Sequence, residues 1–256
     1  MLNKDLESMS KWYSHNELLL NAKKCKLILF GTKKNLLKFQ QVNIHIDGCK
    51  LDVVDEFKYL GVILDKNLSW KPQIENVKSK ILRNFYVLRR TRPFIDKNTA
   101  VIFYNTMIQS YFDYCNVIWL NPLSTQIKKL QTVQNRALRL ILNVDNRHHR
   151  RNLYEDLKID CLSVKVKKCL LILIFKLIHH IAPESLCSRI TFKENVYDLR
   201  NHKCILNLEK PRSNFMKNSS LYTATRLFNA LPENLRIENN INSFTRGIAH
   251  IYPLPF

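Results

Sequence analysis

The feature that most constrains this fold is a change of hydrophobic period near Trp70. Before it, short runs end at glycine: Lys26-Leu27-Ile28-Leu29-Phe30 before Gly31, Val42-Asn43-Ile44-His45-Ile46 before Asp47-Gly48, and Glu56-Phe57-Lys58-Tyr59-Leu60 before Gly61. These read as strands. Asp47-Gly48, followed by Leu51 and Val53, predicts a two-residue hairpin, because both central positions tolerate positive φ there. One helix precedes them, over Asn3 to Glu17, with Leu6, Met9, Trp12 and Tyr13 on one face.

After Trp70 the spacing becomes three and four. Trp70, Ile74, Val77, Ile81, Phe85 and Leu88 form an apolar stripe that Pro93 ends. A second helix is predicted over Ala100 to Tyr111, and a third carries Leu123, Ile127, Leu130, Val133, Ala137, Leu138 and Ile141. Leu162 to Ile181, stopped by Pro183, reads as a more deeply buried helix. Thr191 to Lys217 has a mixed pattern. Ser219 to Leu231 and Asn242 to Ile251 are predicted helices closed by Pro232 and Pro253, with Ser or Asn caps. The polar run 143–152 is the expected break between helices. The class is α+β: a small antiparallel sheet followed by a mainly α-helical region.

Charge narrows the partners. Against 21 acidic residues the chain sets 41 Lys plus Arg, a formal +20, which a polyanion would neutralise. Nucleic acid is the first partner to consider and an acidic membrane surface the second. With glycine only at positions 31, 48, 61 and 247, no Rossmann fingerprint, P-loop or nucleophile elbow can be written. Seven cysteines without a secretory signal predict free thiols in a nuclear or cytoplasmic, non-secreted protein, with Cys161 and Cys169 in or near the core. The apolar stretch Cys169 to Phe175 is too short to span a bilayer. Metal ligation is not expected: His148-His149 and His179-His180 are adjacent pairs that would diverge on a helix, and His202-x-Cys204 offers two ligands. Arg147 to Arg151 reads as a loop or a nuclear-entry patch.

The order of motifs resembles the reverse transcriptases of non-LTR retrotransposons of the jockey and chicken-repeat kind. Asp5-Leu6-x-x-Met9-x-x-Trp12 is similar to the helix after that family's catalytic hairpin. Leu20-Asn21-x-x-Lys24-Cys25-Lys26 with Phe30 resembles the fourth palm motif, and Lys58-Tyr59-Leu60-Gly61-Val62 the primer grip. Leu68-Ser69-Trp70 looks like the entry to the thumb. Further landmarks are Tyr114-Cys115-x-x-Ile118-Trp119, Leu130-x-x-Val133-Gln134-Asn135-Arg136-Ala137-Leu138-Arg139, and Leu227-Phe228-Asn229-x-Leu231-Pro232, where Phe228 replaces the family's Trp. The resemblance implies a palm remnant with a primer-grip-like hairpin over 1–69, a thumb-like helical region over 70–142, and a helical C-terminal extension over 143–256.

Nucleotidyl transfer in that family needs a palm aspartate and an adjacent aspartate pair to hold two metal ions about 4 Å apart. The chain has no Asp-Asp and no Asp-x-Asp. The expectation is a truncated, inactive fragment of an RNA-directed DNA polymerase with residual nucleic-acid binding and no catalytic residue of its own. The alternative is a stand-alone basic helical RNA- or DNA-binding protein. No cofactor is implied here, and Mg²⁺ only in a full-length relative. The implied partners are RNA, DNA and a missing upstream polymerase half, with no membrane.

By resemblance, Lys24 would lie near the incoming nucleotide's phosphates in a full-length relative, an accessory role, although a solvated lysine explains it here. Lys58, Tyr59 and Gly61 would abut the primer end, against the plainer reading of a strand end and a solvated charge. Lys71, Lys78, Lys80, Arg83, Arg89 and Arg90 would track the phosphodiester backbone from the first thumb helix. Glu75 is the only acid between Trp70 and Arg92, so these cations cannot mostly pair among themselves.

Overall fold

The computed structural model describes residues 2–37, 42–122, 125–145, 147–193 and 204–252. Leu123, His202 and Pro253, named above, and one residue of the run 143–152, Asn146, lie outside them. The chain divides into two compact units, Met1–Glu75 and Asn76–Phe256.

In the first unit the amphipathic pattern folds into helix α1 (Leu2–His15). A 3₁₀ turn (Ala22–Lys24), β1 (Lys26–Leu27) and the short α2 (Lys33–Leu36) follow. Next come β2 (His45–Ile46), β3 (Cys49–Lys50), β4 (Asp52–Val53), β5 (Glu56–Tyr59) and β6 (Val62–Asp65). The strands form three separate pairs. β2 and β3 make the expected hairpin, Ile46 opposite Cys49, with Asp47 at φ 48° and Gly48 at φ 73°. Two successive left-handed residues match the right-handed twist of the flanking strands. β5 and β6 form a second hairpin, Tyr59 opposite Val62, turning at Leu60 and Gly61 (φ 44° and 87°). β1 and β4 pair in parallel, Lys26 opposite Asp52, and a 2.7 Å ion pair joins those two side chains. The small core is Ile44, Ile46 and Leu51, with Leu6, Leu20, Leu27 and Val42 packed on it. The α+β class holds, but the ladders are shorter than the apolar runs. Lys26 to Phe30 finds only the two residues of β4 to pair with, because alternation marks a face and not a partner.

Helix α3 (Lys71–Thr91) begins in the first unit and continues into the second, ending before the 3₁₀ turn Arg92–Phe94 that contains Pro93. Asp96 caps α4 (Lys97–Tyr104), accepting the N–H groups of Asn98 and Thr99 at 3.2 Å. A π-helical segment, Asn105–Gln109, leads into α5 (Ser110–Asp113), and α6 (Asn116–Trp119) follows a left-handed Cys115. Then come α7 (Thr125–Leu142), α8 (Arg150–Leu157), α9 (Leu162–Ile178) and the short α10 (Glu184–Cys187). The last elements are α11 (Asn214–Lys217), α12 (Ser220–Asn229), α13 (Glu233–Arg236) and α14 (Ile241–Ile251). Ser219 caps α12 as the sequence anticipates, and α14 is capped by Asn240, two residues before the expected start at Asn242.

The central helix of this unit is α9, against which α6, α7, α10, α12 and α14 pack. Leu170, Leu171, Ile174 and Phe175 are fully buried on it, and the Phe175 and Phe244 ring centroids are 4.8 Å apart. Each such side chain contributes about 1.5–3 kcal/mol by leaving water. No helix among the described residues is long and apolar enough to cross a membrane. All seven cysteines are free thiols, Cys161 buried and Cys169 half-buried. Burial pushes the Cys169 thiol above its usual range.

Candidate nucleic-acid interface

Two basic surfaces carry the residues singled out in the sequence. In the first unit, Lys58 and Tyr59 sit on β5 at the end of the β5–β6 hairpin, Lys58 opposite Ile63. Both are exposed, Tyr59 at 58%. Val62, directly across from Tyr59 and on the same face of the pair, is buried, whereas Tyr59 at the end of β5 stays largely in solvent. Gly61 supplies the left-handed turn that brings backbone, with no Cβ, to the hairpin tip. Lys24 is exposed, and its backbone N–H bonds to the Asn21 side chain at 3.2 Å. Lys26 next to it is held by Asp52.

The approach to α3 is built by a buried carboxylate. Asp65, 6% exposed, accepts the N–H of Ser69 at 3.0 Å on one oxygen and that of Trp70 at 2.9 Å on the other. Gln73, also buried, accepts the Ile63 N–H at 2.9 Å. These contacts fix the start of α3 against β6.

Of the apolar stripe read for α3, Ile74, Val77, Ile81, Phe85 and Leu88 are buried, while Trp70 lies before the helix and is half-buried. Its cations surround the remaining surface. Lys71, Arg83, Arg89 and Arg90 are exposed, and Lys78 and Lys80 are half-buried. Arg83 and Arg90, seven residues apart, share the face opposite the stripe. Lys80 lies over the Tyr111 ring, 5.7 Å from its centroid. Arg92, by contrast, is structural: its guanidinium donates to the carbonyls of Ile141 (3.1 and 2.8 Å) and Ile95 (2.9 Å), closing the C-terminus of α7.

The later landmarks are buried clamps. Gln134 donates to the Tyr104 hydroxyl at 3.0 Å and to the Asp160 carbonyl at 3.1 Å, and Tyr104 donates to Gln109 at 2.7 Å. Asn135 accepts from the Tyr154 hydroxyl. Trp119 donates its indole N–H to the Tyr114 carbonyl at 2.9 Å. The Asn229 amide mimics a peptide and exchanges two 2.9 Å hydrogen bonds with the backbone of Leu206.

The basic run Arg147 to Arg151, read as a loop or nuclear-entry patch, meets Arg139 in a cleft that sequence reasoning missed. His148 and His149 do not sit within a helix. His149 caps α8, accepting the Arg151 N–H on Nδ1. With Arg139, Arg147 and Arg150 they line an open cleft of about 630 Å³. A cluster of three potential metal donors also occurs among the described residues, His180, Glu184 and Cys187, with donor atoms within 4.8 Å of one another. His180 and Glu184 are largely exposed, and a structural zinc wants four ligands.

No protein-family model matches the chain, and no solved structure matches it either. Among curated proteins it is similar to the "Probable RNA-directed DNA polymerase from transposon X-element" of Drosophila melanogaster, 22% identical over 162 residues, 62% of this chain and 17% of that protein. It is also similar to the RNA-directed DNA polymerase from mobile element jockey of Drosophila funebris, 24% identical over 172 residues, and to that of Drosophila melanogaster, 21% over 170. Each jockey match covers 65% of this chain and 18% of the relative. The chain is thus a distant relative of the RNA-directed DNA polymerases of non-LTR mobile elements, matching less than a fifth of their length.

Proposed function

We propose that this chain binds RNA or DNA through its phosphodiester backbone, without reading sequence, and does not itself polymerise nucleotides. The observation that carries the reading is α3, with six candidate cations and one acid around a buried apolar stripe. Charges of one sign opposite a packed face cannot neutralise one another and suit a row of phosphates. The β5–β6 hairpin adds a second, smaller surface, Lys58 for a phosphate and exposed Tyr59 for a base or sugar. The resemblance supports the same assignment, thumb helix for α3 and primer grip for the hairpin. The reading makes the chain a non-catalytic fragment of a reverse transcriptase, since no aspartate pair is present to hold two metal ions.

The test is binding of a fluorescent single strand across a salt series. The logarithm of affinity should fall against the logarithm of salt by about 0.7 per phosphate contact. Replacing Arg83, Arg89 and Arg90 together by Gln should flatten that slope by about 2, equally for unrelated sequences. Lys165 and Lys168 are unsuitable controls, because Asp113 and Asp160 hold them at 2.8 Å. Exposed Lys128, Lys176 and Lys217 serve instead. Equal losses from both triples would reduce α3 to generic surface charge. Primer extension on an RNA template with Mg²⁺ should give no product, and extension abolished by one carboxylate substitution in the first unit would overturn the non-catalytic reading.

A further inference from the structure

The cleft between α7 and the start of α8 in the second unit is lined by an excess of positive charge. Arg139 reaches it from α7, Arg147 and His148 from the connecting loop, and Arg150 from the first turn of α8, while Tyr154 lies at its floor. Among the described residues Arg139, Arg147 and Arg150 form no ion pair. The neighbouring acids are occupied: Glu155 pairs with Arg151 at 2.6 Å, and Asp145 accepts the backbone N–H groups of Arg147 and His148 at 2.8 and 3.3 Å. Asp156 lies 3.9 Å from His148 Nε2, beyond hydrogen-bond reach.

Two side-chain nitrogens on this wall are buried, one of them on a cation. Arg139 Nε and His148 Nε2 are both out of contact with water and lack a hydrogen-bond partner. A buried, unpaired donor costs about 1–3 kcal/mol, so its persistence calls for an explanation, and one on a cation asks for an anionic oxygen. The start of α8, whose first residues Arg150 and Arg151 line the cleft, adds the positive end of a helix dipole. The floor is rigid, because the Tyr154 hydroxyl is locked to Asn135 and Gln131 is bonded to the Leu162 N–H at 2.9 Å.

We propose that this cleft seats a phosphate group of a nucleic-acid strand, with Arg139 and Arg150 on its oxygens and Arg147 at the rim. The inference rests on the nucleic-acid reading above and adds a second contact point, independent of α3. The strand is favoured over a free phosphate because the cleft is open and Arg147, Arg150 and His149 are exposed around it, so neighbouring phosphates of the same strand meet positive charge as well.

The experiment measures affinity of the full chain for a fluorescent single-stranded RNA across salt, beside thermal melts with inorganic phosphate and with a nucleoside monophosphate. The double change Arg147→Gln with Arg150→Gln alters exposed side chains only and should leave the melting temperature unchanged, so it stands if Arg139→Gln fails to fold. It should flatten the salt slope by about 1.4 and weaken binding at 0.1 M salt by roughly fivefold per contact, on the single-strand slope extrapolated to 1 M. Wild-type affinity in this variant, with binding lost in the Arg83/Arg89/Arg90 triple, would overturn the cleft assignment and leave the proposed function standing. Absence of RNA binding by the unaltered chain would overturn both. Stabilisation by inorganic phosphate that the double change removes, without an effect on RNA, would make this a small-anion site and overturn the strand assignment.

Discussion

Asp65 accepts the backbone N–H of Trp70 at 2.9 Å from a carboxylate that is 6% exposed. The bond spans a turn in which Leu68 and Trp70 both hold left-handed backbone, at φ 48° and 62°. Each costs about 1–2 kcal/mol in a residue with a Cβ, and the two charge-assisted bonds from Asp65 to Ser69 and Trp70 offset that strain. Asp65→Ala should therefore lower stability by about 1–3 kcal/mol. A lower urea midpoint at unchanged slope, followed by tryptophan emission, is the expected outcome. An unshifted midpoint would mean that the turn holds without its carboxylate.

The hairpin tip makes a second expectation. Gly61 stands at φ 87°, so Gly61→Ala should cost about 1–2 kcal/mol. Leu60, at φ 44° and 74% exposed, carries strain with no burial to balance it. Leu60→Asn should stabilise the hairpin by up to about 1 kcal/mol, since Asn accepts left-handed backbone more readily. Opposite signs in the same urea assay check the pair, and equal signs would contradict the turn geometry.

Much of this fold is legible in the sequence because apolar spacing reports burial directly. The stripes over α3, α7 and α9 correspond to buried residues, and Asp47-Gly48 to a two-residue turn. The π segment over Asn105–Gln109 left no trace, because an extra residue per turn needs no particular side chain. Helix α8 begins in the last three residues of the run 143–152 read as a break and continues to Leu157, where Leu153, Tyr154 and Leu157 give only a weak apolar face. At the candidate site the α3 cations are legible by sign alone, whereas the cleft is not: Arg139 and Arg147 lie on either side of the end of α7 and meet only in the folded chain. Gln134 did give a signal, an amide inside an otherwise apolar stripe four residues from Leu130. Such a residue needs a polar partner in the core.

That partner gives a pH-dependent expectation. Tyr104 is fully buried between Gln109 and Gln134, and burial pushes its phenol well above the usual range, as it does for Tyr154. A raised folded value means that the protonated phenols' contribution is fully present below the unfolded value, near about 10. It is lost as pH rises from there through the folded value. Urea midpoints should therefore fall above about pH 10. Tyr104→Phe should cost about 1–3 kcal/mol at neutral pH by removing the hydroxyl that donates to Gln109 and accepts one of the two bonds from Gln134, and should reduce the alkaline loss. An alkaline loss of the same size in that variant would assign it to other groups.

The two units should also differ in their protection from exchange. In the first, α1 buries no residue, with Trp12 58% and Met9 37% exposed, and the strand pairs are only two to four residues long, with a small apolar cluster of Ile44, Ile46 and Leu51. Few apolar contacts and short ladders with open edges mean that local opening needs little free energy. In the second, α9 is packed by five other helices, and its amides open only when that unit comes apart. Amides of Leu27 to Phe30 and Phe57 to Leu60 should exchange about a hundredfold faster, or more, than those of Leu170 to Leu177, a gap of about 3 kcal/mol in opening free energy. Exchange at equal rates would make residues 1–75 a self-sufficient cooperative unit, in which the exposed face of α1 costs it nothing in stability.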